Sequence, residues 1–226
     1  MRLGLLGGSF NPIHRCHLSI ARSARQLLQL DRVLFIPTGD PPHKQPGTLA
    51  TASHRHRMVQ LAIEDTPEFA LTDLEIRRSG KSYSIDTVRA IQQEYGPDTV
   101  LFFIIGLDAF LDLPSWKEAD TLLKSCHFVV ISRPSTSFQA MAAIPLFRDV
   151  PQTTLTALDE VRQERADVAI TNGQALTFLR LPPCDVSASE IRARLRSGAS
   201  LANLLPTPVE SYILREELYR EDSERL

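Results

Sequence analysis

Leu3-Gly4-Leu5-Leu6-Gly7-Gly8-Ser9-Phe10-Asn11-Pro12-Ile13-His14-Arg15-Cys16-His17-Leu18 decides how the rest of the chain is read. The apolar run Leu3 to Leu6 has the length of a buried strand. Gly7 and Gly8 follow it, and adjacent glycines let backbone N–H groups approach a ligand closely. Ser9 to Pro12 is turn chemistry with one aromatic plug, Phe10. His14 and His17 stand three apart where a helix should begin, so they share one face. A helix N-terminus carries partial positive charge, and both imidazoles can donate N–H to anionic oxygens. Together these features predict a phosphate site. A metal site lacks a third ligand at suitable spacing.

Outward from this stretch, His17 to Leu30 carries Leu18, Ala21, Ala24, Leu27 and Leu28 at helical spacing. Val33 to Ile36 is a continuous apolar run, as in a strand covered on both faces. Strand, helix and strand with short joints make a βαβ unit and a parallel pair. Pro37 to Gly47 is irregular and proline-rich; it follows the second strand and should border the same crevice as the opening loop. Further on, Ser53 is expected to cap a helix to about Glu64, and Phe69 to Leu71 and Leu74 to Arg78 to form short strands. Ser84 or Asp86 opens a helix to Tyr95. Val100 to Ile105 and Phe128 to Ile131 are apolar strands, with a helix near Lys117 to Leu123 between them. A helix over Thr154 to Arg165 and a last strand over Ala175 to Leu181 come next. Ser187 to Arg196 reads as a helix with a capping box, Ser187 and Glu190. A final helix runs from Val209 to about Leu218, and the charged tail from Arg215 should fray. The expected fold is a doubly wound, mainly parallel α/β sheet with helices on both faces. It forms one domain over residues 1–226, with a C-terminal helical part at about 187–220.

Composition narrows the partners. Lys and Arg number 25 against 27 Asp and Glu in 226 residues, a formal charge of −2. That excludes the basic footprint of a dedicated nucleic-acid binder. No apolar run reaches the roughly 18 residues of a membrane span. Cys16, Cys126 and Cys184 are far apart and odd in number, so neither a disulfide framework nor a structural zinc site is expected. A reducing, cytoplasmic setting follows. Gly80-Lys81-Ser82 resembles the end of a P-loop, but Glu75 stands where that motif needs glycine. His54 and His56 read as a solvated face.

Gly7-Gly8-Ser9-Phe10-Asn11-Pro12-Ile13-His14-Arg15-Cys16-His17 resembles the G-G-T-F-D-P-x-H-x-G-H signature of the nucleotidyltransferase superfamily. Val186-Ser187-Ala188-Ser189-Glu190-Ile191-Arg192 resembles its second signature, I-S-S-T-x-I-R. Pro41-Pro42-His43-Lys44, Ser82-Tyr83-Ser84-Ile85-Asp86-Thr87, Gly106-Leu107-Asp108 with Trp116, and Ser132-Arg133-Pro134 are similar to the bacterial nicotinate mononucleotide adenylyltransferases. The resemblance implies a Rossmann-like fold and adenylyl transfer from ATP, with Mg²⁺, to nicotinate mononucleotide. It implies ATP binding by Gly7, Gly8, Ser9, Phe10, His14, His17, Gly106, Asp108, Ser187, Ser189 and Arg192. Ser9, Lys44, Tyr83, Ser84, Trp116 and Arg133 would hold the mononucleotide. His14, His17, Lys44 and Arg192 would be catalytic, and no protein-held metal is implied. Trp116 can alternatively be core, Asp108 a helix cap and Arg133 the partner of a carboxylate.

The chain departs from the signatures at Ser9, Asn11, Cys16, Ala188 and Ser189. Asn11 loses a charge, Ala188 loses a donor, and Cys16 puts a side chain where the signature has glycine. Three alternatives therefore stay open: nicotinamide mononucleotide or phosphopantetheine as acceptor, or a non-catalytic nucleotide-binding regulator. A homo-oligomer is also left open.

Overall fold

The computed structural model describes residues 1–40, 49–134, 136–148, 150–170 and 173–220. The chain runs β1 (Arg2–Gly8), α1 (Arg15–Leu28), β2 (Arg32–Pro37), α2 (Ala52–Ile63), β3 (Phe69–Leu71), α3 (Leu74–Arg77), α4 (Ser84–Tyr95) and β4 (Val100–Gly106). It continues α5 (Leu107–Leu111), α6 (Ala119–Ser125), β5 (His127–Ile131), α7 (Gln152–Asp159), β6 (Arg165–Ala169), β7 (Ala175–Leu179), α8 (Ala188–Ser197) and α9 (Thr207–Arg215). Among the described residues the strands form one sheet of order β3-β2-β1-β4-β5-β7-β6. The order reverses between β1 and β4, which is the doubly wound arrangement. β1 pairs β4, β4 pairs β5 and β5 pairs β7, all parallel. Leu101 to Ile105 of β4 and Phe128 to Ile131 of β5 are buried at every residue. Successive side chains in a strand point to opposite faces, so unbroken burial means both faces of these strands are covered. No helix among the described residues is long and apolar enough to cross a membrane.

The chain divides into two compact units. The first comprises Met1–Leu6, Ser23–Val33 and Tyr83–Pro183; the second comprises Gly7–Arg22, Leu34–Ser82 and Cys184–Leu226. The first unit has a phenylalanine core. Phe110 packs on Phe128 with ring centroids 5.7 Å apart and stacks on Phe147 at 4.5 Å. Here the expected helix over Thr154 to Arg165 is corrected. α7 stops at Asp159, whose carboxylate accepts the N–H groups of Phe138 and Gln139 at 2.9 and 3.0 Å. Arg165 to Ala169 is instead the antiparallel edge strand β6. Its Arg165 and Asp167 pair at 2.9 Å, and Thr177 donates to Asp167 at 2.6 Å. Charged side chains on an edge discourage pairing with another chain, and they also disguise the strand pattern.

His127 begins β5 and gives the first unit a pH dependence. Its Nδ1 accepts the Ala175 N–H at 3.0 Å, and its ring stacks on Phe102 at 4.9 Å. Burial, and secondarily the Arg2 charge, lower its pKa. The folded pKa thus lies below the unfolded value of about 6.5, and the unfolded chain takes up this proton first as pH falls. The contribution is present above the unfolded pKa and lost as pH drops through that window. Urea unfolding from about pH 7 to about pH 5 is expected to show falling stability. His127→Asn keeps an acceptor for Ala175 without the titration and should flatten the slope. An unchanged slope would refute this origin.

In the second unit, Thr51 rather than Ser53 caps α2, accepting from the His54 N–H at 3.4 Å. The expected strand over Leu74 to Arg78 is the one-turn helix α3. Its Leu74 N–H turns back onto the Thr72 hydroxyl at 3.2 Å, which favours a local turn over a ladder.

Candidate active site

The opening stretch folds as strand, loop and helix within the second unit from Gly7 onward. Thr38 donates its N–H to the Gly8 carbonyl at 2.9 Å, fixing the end of β1. Phe10 adopts φ of 44° and is 1% exposed. A bulky residue in the left-handed region is strained and persists only where its surroundings hold it. Its ring lies edge-on to His17 at 5.1 Å and beside Phe35 at 5.9 Å. The ring also fills the space over Gly8, where a Cβ would meet it at 3.3 Å. A Cβ on Gly7 would meet nothing within 4 Å. The Asn11–Pro12 peptide is cis.

His14 precedes α1, and His17 is the third helical residue. Their rings lie 3.8 Å apart at 36°. The His14 N–H donates to His17 Nδ1 at 3.2 Å, and the His17 N–H donates to the His14 carbonyl at 3.0 Å. The first bond is the return half of a capping box, with imidazole in the place of glutamate. Because Nδ1 accepts, the neutral ring carries its proton on Nε2.

The second signature meets this loop through Asn11. Arg192 of α8 donates to the Asn11 carbonyl at 2.7 Å and to the Ser189 hydroxyl at 3.3 Å. Ser187 caps α8, accepting the Glu190 N–H at 3.1 Å. Only that half of the expected box forms, because the Glu190 carboxylate takes Arg194 at 2.8 Å. Asn11 is 2% exposed, and its Oδ1 accepts both the Ala50 N–H at 3.0 Å and the Tyr219 hydroxyl at 2.9 Å. Burial raises the Tyr219 pKa, which keeps the phenol a donor. The expectation that the tail frays from Arg215 is therefore corrected as far as Tyr219.

Cys16 and Cys184 form a disulfide, with Cα atoms 5.7 Å apart. This corrects the expectation of three unpaired cysteines. A separation of 168 residues offers no local spacing from which the pair can be read.

Arg55 is a site residue that the sequence reading missed. It is 2% exposed and donates through Nε to the Ala50 carbonyl at 3.0 Å, through Nη1 to Ser9 at 2.9 Å and through Nη2 to Gly39 at 3.2 Å. One guanidinium thus holds the first signature and both approaches to the proline-rich segment. Burial lowers its pKa, while Tyr219 and Glu75 act in the opposite sense. A signal was present: Arg55 stands three and four residues before the buried Met58 and Val59, on the apolar face of α2. Its neighbour His54 is not simply solvated, since its Nδ1 lies 2.8 Å from the Tyr212 hydroxyl. Gly39 is required sterically, because a Cβ there would collide with the Glu75 carbonyl. Lys44, assigned to the site from sequence, lies outside the described residues, as do Pro41, Pro42 and His43.

The remaining candidates lie in the first unit. Asp108 and Arg133 pair at 3.3 Å, both substantially exposed. A Cβ on Gly106 would run into the ends of both side chains, so glycine makes room for this pair. Tyr83 precedes α4 and Ser84 begins it. The Lys117 ammonium lies 4.9 Å over the Tyr83 ring and 2.9 Å from the Asp86 carboxylate. Trp116 is half-buried, edge-on to Phe103 at 6.3 Å, so it is not wholly core. The structure thus gathers His14, His17, Ser189 and Arg192 in the second unit. Gly106, Asp108 and Arg133 gather separately in the first.

A loop between strand and helix that aligns two imidazoles, tied by an arginine to a second helix start, defines a class. Residues 5–194 match the cytidylyltransferase-like family model, and the chain belongs to that family. It is 42% identical, over 98% of its length and 100% of the relative's, to the "Probable nicotinate-nucleotide adenylyltransferase" of Geobacter metallireducens. It is 36% identical, over 97% of its length and 92% of the relative's, to the protein of that name from Moorella thermoacetica. These relatives set the chain in the nicotinate-nucleotide adenylyltransferase branch of the family. The fold matches that of Plasmodium falciparum nicotinic acid mononucleotide adenylyltransferase complexed with NaAD. The TM-score is 0.71 at 20% identity, covering 96% of this chain and 97% of the other.

Proposed function

We propose that this protein transfers the adenylyl group of ATP to nicotinate mononucleotide, giving deamido-NAD and pyrophosphate in NAD biosynthesis. The mononucleotide's 5′-phosphate oxygen bonds to the α-phosphorus of ATP as the bond to the pyrophosphate oxygen breaks. No protein nucleophile is needed; positioning and neutralisation of phosphoryl charge suffice. The observation that carries this reading is the pair of aligned imidazoles, His14 and His17, tied through Asn11 to Arg192. His17 Nε2–H donates to a phosphoryl oxygen of the transition state. Ser187, Ser189, Arg192 and the α8 N-terminus bind the β- and γ-phosphates, with Gly7, Gly8, Ser9 and Phe10 shaping the loop. Asp108 and Arg133 serve the nucleotides: an exposed pair is worth only about 0–1 kcal/mol, so exchanging it for ligand contacts costs little. Tyr83, Ser84 and Trp116 frame the nicotinate ring, and Lys44 adds positive charge.

Imidazoles, hydroxyls, arginine and backbone N–H groups are donors that suit anions, so Mg²⁺ is written as part of the triphosphate substrate. Both compact units belong to one domain in this proposal, because the chain passes back and forth between them. The cytoplasm supplies both substrates.

Pyrophosphate release with ATP and each of nicotinate mononucleotide, nicotinamide mononucleotide and phosphopantetheine tests the reading. The nicotinate form is expected to give the highest kcat/KM. Turnover confined to another acceptor, or nucleotide binding without turnover, would overturn it.

A further inference from the structure

The Cys16–Cys184 pair joins the two signatures covalently. Cys16 lies between His14 and His17 in α1, is 3% exposed, and replaces the glycine of the first signature. Cys184 is exposed and lies three residues before Ser187, the cap of α8. α8 and the segment behind it have other ties to the first signature. Arg192 donates to the Asn11 carbonyl, and Arg15 donates through its N–H to Leu204 at 3.2 Å and through Nε to Leu205 at 3.3 Å. The segment ahead of α8 differs: among the described residues, 182 to 186 make no hydrogen bond and belong to no helix or strand. The disulfide is the tether on that side.

We propose that Cys16–Cys184 is a thiol-exchange site through which a low-molecular-weight thiol or dithiol reductant sets the affinity for ATP. This rests on the reading of the two signatures as the ATP phosphate site. The exchange balances as follows. An external thiolate attacks the exposed Cys184 sulfur, the S–S bond breaks, and Cys16 leaves as a thiolate that takes a proton. A second external thiolate attacks the mixed disulfide and releases Cys184. Two electrons pass from two external thiols, which end as their own disulfide, to the protein. Attack falls on Cys184 because Cys16 is closed off by burial. The third cysteine, Cys126, takes no part: it is 2% exposed and burial pushes its thiol up to about 12.

Reduction releases the lead-in to Ser187 while Arg192 and Ile191, which is fully buried, keep α8 in place. The substrate must then order residues 184 to 187 on binding. That ordering raises the KM for ATP about three- to tenfold. The His14–His17 arrangement is made within α1, so kcat changes little. In a reducing compartment a disulfide of this kind is transient and sensing rather than permanent.

Full-length protein equilibrated with oxidised glutathione or with dithiothreitol tests this. Denatured samples should titrate one thiol per chain when oxidised and three when reduced. Reduction should raise the KM for ATP while leaving kcat. Cys184→Ser should show the raised KM in both conditions, and Cys126→Ser should respond as the wild type. An equal KM in the two states, or three thiols under oxidising conditions, would overturn the proposal. If no acceptor turns over in either state, the enzymatic reading fails instead. The ATP dissociation constant, measured by equilibrium dialysis, then decides: equal constants in the two states also overturn the proposal.

Discussion

His17→Ala is expected to lower kcat about 10²–10³-fold, the usual cost of removing one preorganised donor to developing phosphoryl charge. The KM for ATP should move much less, because His14, Arg192 and the α8 start remain. A raised KM with unchanged kcat would instead mean that His17 binds ground and transition states equally. The fold should survive. The variant loses the acceptor for the His14 N–H and the edge contact with Phe10. A lost hydrogen bond of this kind costs about 1 kcal/mol, or a few degrees in melting temperature for a chain of this size. Steady-state kinetics beside a thermal melt would separate the two effects. Wild-type turnover in the variant would remove His17 from the mechanism.

Arg55→Met is expected to carry the largest stability loss. Two effects compete. Methionine fills much of the space and removes a buried charge, which favours the variant. Against it, the Ser9, Gly39 and Ala50 carbonyls lose their shared donor. A buried acceptor left unmet costs about 1–3 kcal/mol. Three orphaned carbonyls outweigh the relief of one charge, so the net loss should be about 2–4 kcal/mol in urea unfolding. Activity should fall as well, since Ser9 lies in the first signature. Arg55→Lys reaches fewer of the three carbonyls and should fall between. A neutral or stabilising Arg55→Met would refute the clamp.

The sheet was legible because its information is local. Val33 to Ile36, Val100 to Ile105 and Phe128 to Ile131 are buried on both faces, and that condition writes itself as unbroken apolar runs. The capping of α8 by Ser187 was legible for the same reason. β6 was not, because an edge strand with Arg165 and Asp167 looks like the end of a charged helix. α3 was not, because one turn is too short to show a period. At the candidate site, His14, His17, Ser187 and Arg192 announced themselves through two short signatures. Arg55, Tyr219 and the Cys16–Cys184 bond did not, since each acts through partners far along the chain.

That distance bears on when the site is completed. Asn11 meets Arg192 across 181 residues and Tyr219 across 208, and Arg15 meets Leu205 across 190. A ribosome makes the N-terminal loop first, yet none of these contacts can form until its downstream partner has been synthesised. Contacts of such separation also bear the full entropy of closing the chain. The loop that begins translation is thus finished near the end of it, and a nascent chain halted before Tyr219 carries both signatures without the fastening that joins Asn11 to the tail.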